Sequence, residues 1–575
     1  VKGNKNVRGS DRSNGLSLLK RLAAGALVVA GLARAPIFGQ VQQTGDRIAD
    51  SKPAQSLYRI AGTVTNSITG EVVAGATLTL LAGQPRKVIL TAVSDADGHF
   101  ALDPVAAGKY SLRASRRGYM TTAFDEHDQY SSAIVTGPDQ DTEHIPFHLN
   151  PGAMIRGVVT DDAGEPVEQA NVLLMRKTKF GGMGEHLVKS ISGVTDDTGL
   201  FEFWNLVPGT YLLAVKAEPW FALHPRLTAE NDVAGDGQRE AVAALDVAYP
   251  VTYYGGVTDE AAVTPIPIAS GDRVDADVTL HAVPAVHLTL HMTEGMLGHR
   301  GFEMLPSLHQ TVFGEQDFSP VSFPQPGLPG QGLMEFRGMA PGHYSVMQGD
   351  PPRVTEIDTT GNQELDTSSG APTFSVDMKI RMSDGSAPPS QLNMTLLSDD
   401  TLLRRITARL MGGSEVHFGS VPLGKWNVLA DSTGLWLGVV SIQTGTTATS
   451  DNRIVVKDRR LSLTAVVAQG KTSIEGFANR NGKGEAGVMV VLIPKDPGAS
   501  LEEFRRDQSD SDGSFLLQNV TPGQYTVVAI ENGWDLDWAR PEVISRYLQG
   551  GTVVTIGEKS GPSIRLSAPI VIQMR

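Results

Sequence analysis

The sequence predicts an all-β protein, a tandem array of about five antiparallel β-sandwich modules following a signal peptide. Three observations carry this prediction. A stretch with fixed Gly and aromatic spacing recurs five times at whole-domain intervals. Short runs of alternating apolar and polar residues end in turns rich in Gly, Asn and Asp. Finally, 62 Gly and 33 Pro among 575 residues, with 19 % charged and 41 % hydrophobic residues, suit many short strands around several cores. A chain this long exceeds one core, and at roughly 100 to 150 residues per domain it holds about four to six.

The first forty residues stand apart. Lys2, Lys5, Arg8, Arg12, Lys20 and Arg21 form a basic leader ahead of the apolar run Leu22 to Ala33. About a dozen apolar residues fall short of the roughly 20 a membrane-spanning helix needs, but they match the core of a secretory signal. Residues 1–40 are therefore read as a signal peptide cleaved near Gln40, and 41–56 as a linker. No other segment is apolar enough to span a membrane, which predicts an exported protein that is periplasmic, outer-surface or extracellular. The chain has no Cys, which excludes disulfides, thiolate metal sites and a lipid-anchoring Cys after the signal. Net charge is −14, and without residues 1–40 the balance is 42 basic to 62 acidic side chains. Such a surface argues against nucleic acid, whose binding rests on phosphate neutralisation.

The repeated stretch reads "DGHFALDPVAAGKY" at 97–110 and "DGSFLLQNVTPGQY" at 512–525. Weaker copies are "TGLFEFWNLVPGTY", "GLMEFRGMAPGHY" and "SEVHFGSVPLGKW", in which Met334 and Val416 replace the Phe and Trp426 replaces the Tyr. The closing glycines fall at 108, 209, 342, 424 and 523. Asp-Gly suits a tight turn at positive φ, and the alternation that follows points Phe100 and Leu102 to one face. Pro208-Gly209, Pro341-Gly342 and Pro522-Gly523 fit a type II turn with Gly at positive φ. Tyr110, Leu112 and Ala114 then alternate inward, and a buried Tyr hydroxyl needs a partner, so it can pin a loop. Each copy is preceded by a Gly-opened hairpin ("IAGTVTNSITGEVVAGATLTLL", "IRGVVTDDAGEPVEQANVLLM", "IEGFANRNGKGEAGVMVVLI") and followed by further paired strands around a polar turn. One module thus offers six or seven strands. The boundaries read 57–149, 150–281 with a loop insertion at about 220–260, 284–372, 373–470 and 471–575. The short joints Asn150-Pro151 and Val283-Pro284 suit a semi-rigid rod, and touching or splayed modules fit the sequence equally well.

The combination G-x-V, G-x-P-V, A-x-V-x-L, then D-G-x-F and P-G-x-Y resembles the carboxypeptidase regulatory-like domain. The resemblance is strong over 57–149, 150–281 and 471–575 and weaker over 284–372 and 373–470. It implies a transthyretin-like or Ig-like sandwich within the carbohydrate-binding-like folds. The whole chain also resembles the secreted multi-module proteins of this type found in Acidobacteria. The resemblance implies a non-catalytic accessory domain and no peptidase activity.

Candidate chemistry is sparse. His287 and His291 share a strand face but lie about 13 Å apart at 3.3 Å per residue, too far to chelate one ion, so they read as a solvated strand face. The acidic turns at Asp95-x-Asp97-Gly98 and Asp510-x-Asp512-Gly513 lack the outer ligands of a calcium loop and read as turn formers. Gly482-Lys-Gly484-Glu-Ala-Gly487 matches a dinucleotide fingerprint literally but leads into a strand, so it reads as a hairpin turn. No catalytic, cofactor or metal residues are assigned. Trp204 and Trp426 read as core. Trp220, Trp436, Trp534 and Trp538 follow the strand after the Gly-x-aromatic corner, where modules diverge, and are the candidate ligand contacts. The reading is a non-catalytic secreted binding or structural protein of the cell envelope or exterior, with polysaccharide or an envelope protein as partner. Two rivals remain: carbohydrate binding by one or more modules, and a hydrolase site around His224 in the 220–260 insertion. "WARPEVISRYL", 538–548, suits a short helix across the last module.

Overall fold

A computed structural model describes residues 56–575 except 84, 180–181, 183–185, 225–242, 292–305, 314, 318–324, 327–332, 349–352, 367–369, 399–404, 446, 450, 458 and 499–500. The expected signal peptide lies outside the described residues, as do residues 225–242 of the 220–260 insertion and Gly332.

Five hydrophobic cores follow one another along the chain, each between two facing layers of strands; a layer of the third runs on into the fourth where Arg353–Thr359 pairs with Ala371–Met382, and the layers of the fifth join through Ile570–Gln573. The first is built on Ile60, Val64, Leu78, Leu80, Phe100, Leu112 and Phe147, and the second on Ile155, Val172, Leu174, Phe201, Phe203 and Tyr211. The third, fourth and fifth centre on Phe336 and Tyr344, Phe418 and Trp426, and Phe515 and Tyr525. Period-two alternation builds all of them: Tyr110, Leu112 and Ala114 are buried on one strand while Lys109 and Arg113 face out. Burying one Leu or Phe stabilises by about 1.5–3 kcal/mol, so each core is a substantial local term.

The modules share one topology. In the first, Leu57–Asn66 is flanked by the antiparallel His99–Ala106 and the parallel Ile145–Leu149. The facing sheet runs Lys87–Val93, Thr77–Ala82, Gly108–Ser115, and then Thr122–Ala123 or Ile134–Thr136. Corresponding parallel pairs occur in the other four modules, between Ala153–Thr160 and Arg273–Asp275, Val286–His291 and Gln363–Asp366, Ala371–Met382 and Leu461–Gln469, and Thr472–Arg480 and Ser563–Arg565. The sandwich is therefore antiparallel except where a late strand returns by a crossover and lies beside the first; in the fifth module Ile570–Gln573 also runs parallel to Gly523–Ile530.

Two local rules recur. The first strand of every module shifts register at the same place, opposite a two-residue bulge: Trp204-Asn205 in the second, Arg337-Gly338 in the third, Gln518-Asn519 in the fifth. Positive φ sits in these bulges, at Asn205, Gly338 and Asn519. The value near +80° of a type II turn is not found at the Pro-Gly corners: Gly209 has a φ of 153°, and Gly342 and Gly523 are not at positive φ. The type II expectation is thus corrected, because the corner glycine already opens the next strand. The reading of Trp204 as core is also corrected: alternation from the buried Phe201 and Phe203 faces it outward, at 64 % exposure, whereas Trp426 is core.

The second rule is a hook. In each module the aromatic two residues after the corner glycine donates to the carbonyl four residues before itself. The pairs are Tyr110 with Ala106 (3.1 Å), Tyr211 with Val207 (2.6 Å), Tyr344 with Ala340 (2.8 Å) and Tyr525 with Thr521 (3.0 Å). In the fourth, the Trp426 indole nitrogen donates to Pro422 (3.2 Å). A buried hydroxyl or indole must be paired, and this one fastens the corner to the core.

The fifth module carries a second core. Strand Met489–Pro494 is buried on both faces, its outer face covered by Trp538, Ala539, Ile544 and Tyr547. The last two lie on a short helix, Pro541–Ile544, that continues as a 3-10 turn to Gly550.

Candidate functional site: the clasp between the first and fifth modules

The polar side chains of the repeated turns do two different jobs. In the first module the Asp95 carboxylate accepts the backbone N–H of Asp97 (3.0 Å) and His99 (2.8 Å), closing its own turn. Asp196 treats Thr198 and Leu200 in the same way. At the matching place in the fifth module, Asp510 crosses to the first. Its Oδ1 accepts the Ala133 N–H at 2.8 Å, and its Oδ2 lies 2.7 Å from the Lys109 Nζ. Asp512 takes over the local turn by accepting the Ser514 N–H at 2.9 Å.

Around that ion pair the two modules interlock. Lys109 also donates to Ser514 Oγ (2.6 Å). The Ser511 N–H donates to the Ala133 carbonyl at 3.0 Å, and the Val135 N–H to Ser511 Oγ at 2.9 Å. Ser132 Oγ donates to the Ser509 carbonyl, and the fully buried Gln508 amide donates to Ser132 Oγ, both at 2.9 Å. The strand ending at Gln508 is the edge of its sheet, so the first module covers an edge that would otherwise expose unpaired backbone. Burial pushes the Asp510 carboxyl above the usual carboxylate range, with Lys109 opposing. It pushes neighbouring Asp507 up to about 7, although that carboxylate accepts the Leu516 N–H at 2.7 Å.

Beside the polar network lies an aromatic one. The Arg506 guanidinium sits 4.3 Å from the Trp538 ring centroid, 5.0 Å from Tyr130 and 5.8 Å from Trp534. It also pairs with Asp128 at 3.2 Å. His127 stacks on Trp534 with centroids 5.3 Å apart and planes 10° apart. Tyr130, His127 and Asp128 come from the first module, and Arg506 with both Trp residues from the fifth. A cation held among aromatic faces gains about 0.5–2 kcal/mol, more when desolvated. The second module closes the other side: the Ala539 N–H donates to the Gly182 carbonyl (3.0 Å), and a Cβ on Gly182 would stand 2.5 Å from the Trp538 ring.

The four candidate Trp residues thus part company. Trp534 and Trp538 meet at the clasp, with Trp538 only 7 % exposed. Trp436 packs against Arg505, 5.2 Å away, where the fourth and fifth modules meet. Trp220 is 85 % exposed beside Phe221. Sequence reasoning missed Lys109, Gln508, Arg506 and Asp510 as joint residues, because nothing local distinguishes them from ordinary surface side chains.

The remaining candidates lie in joints or turns. His224 and His287 flank Asp246, with nitrogens 3.0 and 2.6 Å from its two oxygens, where the second and third modules meet. His287 is 2 % exposed, which corrects the solvated strand face, because the insertion folds over it. His291 pairs with Glu364 at 3.0 Å and lies apart from this group. The His224 ring packs against Gly338, where a Cβ would stand 2.4 Å from its Nε2. Among the described residues no helix is long and apolar enough to cross a membrane.

The carboxypeptidase regulatory-like domain model matches residues 59–149. The model described as BOS complex subunit NOMO1-like, second beta sandwich domain, matches residues 468–547. No curated protein matches the chain. Similar solved structures include the Bacillus anthracis TIE protein, at 11 % identity over 73 % of this chain and 76 % of that one with a TM-score of 0.17. The Streptococcal ancillary pilin matches at 12 % identity over 49 % of this chain and 98 % of its own, TM-score 0.18. The shaft pilin SpaA of Lactobacillus rhamnosus GG matches at 10 % over 40 % and 98 %, TM-score 0.19. The chain is a multi-domain β-sandwich protein that carries a carboxypeptidase regulatory-like domain at residues 59–149 and a NOMO1-like sandwich at 468–547.

Proposed function

We propose that this chain is an exported, non-catalytic structural and binding protein whose working unit is the closed set of five sandwiches. The observation that carries the reading is the clasp. Lys109, in one of the two best-matched copies of the repeat, and Asp510, two residues before the other, are spent on holding the first module to the fifth. The group His224, Asp246 and His287, which joins two histidines through one carboxylate, is likewise packed into a joint. The export reading rests on the basic leader and the run Leu22 to Ala33, and a chain without Cys suits an oxidising exterior. Small-angle scattering tests the closed arrangement. The wild type should give a compact particle, and Lys109→Glu with Arg506→Ala an extended one with unchanged circular dichroism. Identical profiles would sink the reading.

Trp220 favours a second function on the same scaffold. Of the four candidate Trp residues it has the most open ring, and an open indole can stack on a sugar face. A glycan array on the wild type and Trp220→Ala checks this, with binding expected only for the wild type. No binding by either would remove polysaccharide as partner.

A further inference from the structure

We propose that the clasp also forms between molecules, with the first module of one chain seated on the fifth module of a second copy. The inference rests on the closed reading above and adds a partner to it. The two faces are different and complementary: Lys109, Asp125, Ser132 and Ala133 on one, Gln508, Ser509, Asp510, Ser511 and Ser514 on the other. A pair of unlike faces at two ends of one chain is a heterologous interface, which closes on itself, closes reciprocally between two chains, or propagates.

The moving part is identifiable. The fifth module is fastened to the second through Ala539 and Gly182 and through Lys179, which donates to the Asp535 carbonyl at 3.1 Å. The first module joins the second by continuous chain at Asn150–Gly152, where the Met120 N–H donates to the Asn150 carbonyl and the Gly152 N–H to the Gly118 carbonyl. Swinging the first module out leaves the fully buried Gln508 side chain without its partners Asp125, His127 and Ser132, takes the Ser132 hydroxyl from the Ser509 carbonyl, and uncovers the Trp534 face under His127. An unpaired edge strand and desolvated polar groups are costly to expose, so the open state seeks the same partner elsewhere. Only another copy offers every one of those contacts without change. A short tether sets the cis form at an effective concentration of the order of millimolar. Closed monomers therefore dominate at micromolar protein, and exchange appears as the concentration approaches that value.

Charge reversal separates the forms. Lys109→Glu presents two negative faces and Asp510→Lys two positive ones, so each alone is repelled from itself. Mixed at about 0.1 mM, below the millimolar tether value, they match only in trans, and light scattering should show a reciprocal heterodimer as more than half of the mass. The double variant Lys109→Glu/Asp510→Lys should be a compact monomer. A mixture that stays monomeric while the double variant is compact overturns the exchange and leaves the closed reading standing. A double variant as extended as the single ones overturns both. Because the chain has no Cys, a second measurement is available. Ala133→Cys and Ser511→Cys chains mixed near 0.5 mM, close to the tether value, should form an interchain disulfide between the two labels. Its absence while the doubly substituted chain cross-links internally counts against exchange in the same way.

Discussion

Lys109 and Asp510 stand 401 positions apart in the chain and 2.7 Å apart in space, each in or beside one of the two best-matched copies of the same repeated stretch. The turn that closes itself through Asp95 has become, in its last copy, the place where the chain closes. Asp510 keeps its sequence position and changes its partner.

The clasp should be salt-sensitive, because its ion pairs reach the surface: the Lys109 and Asp128 side chains are about half exposed. We expect Arg506→Ala to disrupt more than Lys109→Met, since Arg506 meets three rings and a carboxylate while Lys109 contributes one pair and one hydroxyl contact. Proteolysis at the Asn150 joint reads the difference. Equal cleavage rates for the two variants would show that the aromatic network adds nothing.

Stability of the fifth module should fall as pH rises. Burial lifts Asp507 to about 7 and Glu502 to about 8 and raises Asp510. Below these values the folded form binds protons that the unfolded chain, with ordinary carboxyls, releases above about pH 4. Raising the pH from 5 to 8 therefore lowers stability. Turn carboxylates such as Asp196, held below the usual range by Thr198 and the Leu200 N–H, act oppositely below about pH 4. Thermal melts at pH 5 and pH 8 should differ, and Asp507→Asn should shrink the difference. A variant with the full wild-type slope would remove Asp507 as a cause.

Gly476 should be replaceable only together with its neighbour. It pairs across strands with Phe515, and a Cβ there would stand 2.6 Å from the Phe515 ring. Gly62 with Phe100 and Gly157 with Phe201 repeat the pairing, whereas the divergent modules pair Leu290 with Met334 and Met378 with Val416. Gly476→Ala should cost about 1–3 kcal/mol through overpacking, and Phe515→Leu should cost more in the wild type than in that background. Strict additivity in denaturant unfolding would refute the coupling.

Trp204→Ala should change stability by under about 0.5 kcal/mol, as for other exposed sites, while Trp426→Ala should cost about 3–5 kcal/mol. Trp204 stands five residues before its corner glycine and Trp426 two residues after its own, on different strands of the module, and unfolding of each variant measures whether its indole faces the core.

Much of each module was legible in the letters. Alternation placed Phe100, Leu112 and Tyr211 inward, and the need of a buried hydroxyl for a partner anticipated the hook from Tyr525 to Thr521. Trp204 was misread because membership of a repeated strand was taken as burial, although alternation from the buried Phe201 and Phe203 turns it outward; the bulge begins there and leaves no strong mark in composition. The corner glycines misled for a related reason: the strained backbone lies four residues earlier, at Asn205, Gly338 and Asn519. The clasp was invisible, since Asp95 and Asp510 are the same letter in the same context and differ only in what tertiary packing brings near.

The side-by-side, same-direction placement of each module's first and last strands governs how the array carries tension. In the fourth module that pairing runs through seven successive residues, from Val376 opposite Leu461 to Met382 opposite Val467. Pulling the two ends of such a module apart slides one strand along the other, so the hydrogen bonds between them bear the load together instead of opening one after another. Stretched from its ends, the chain would release the first module from the fifth while each sandwich still held.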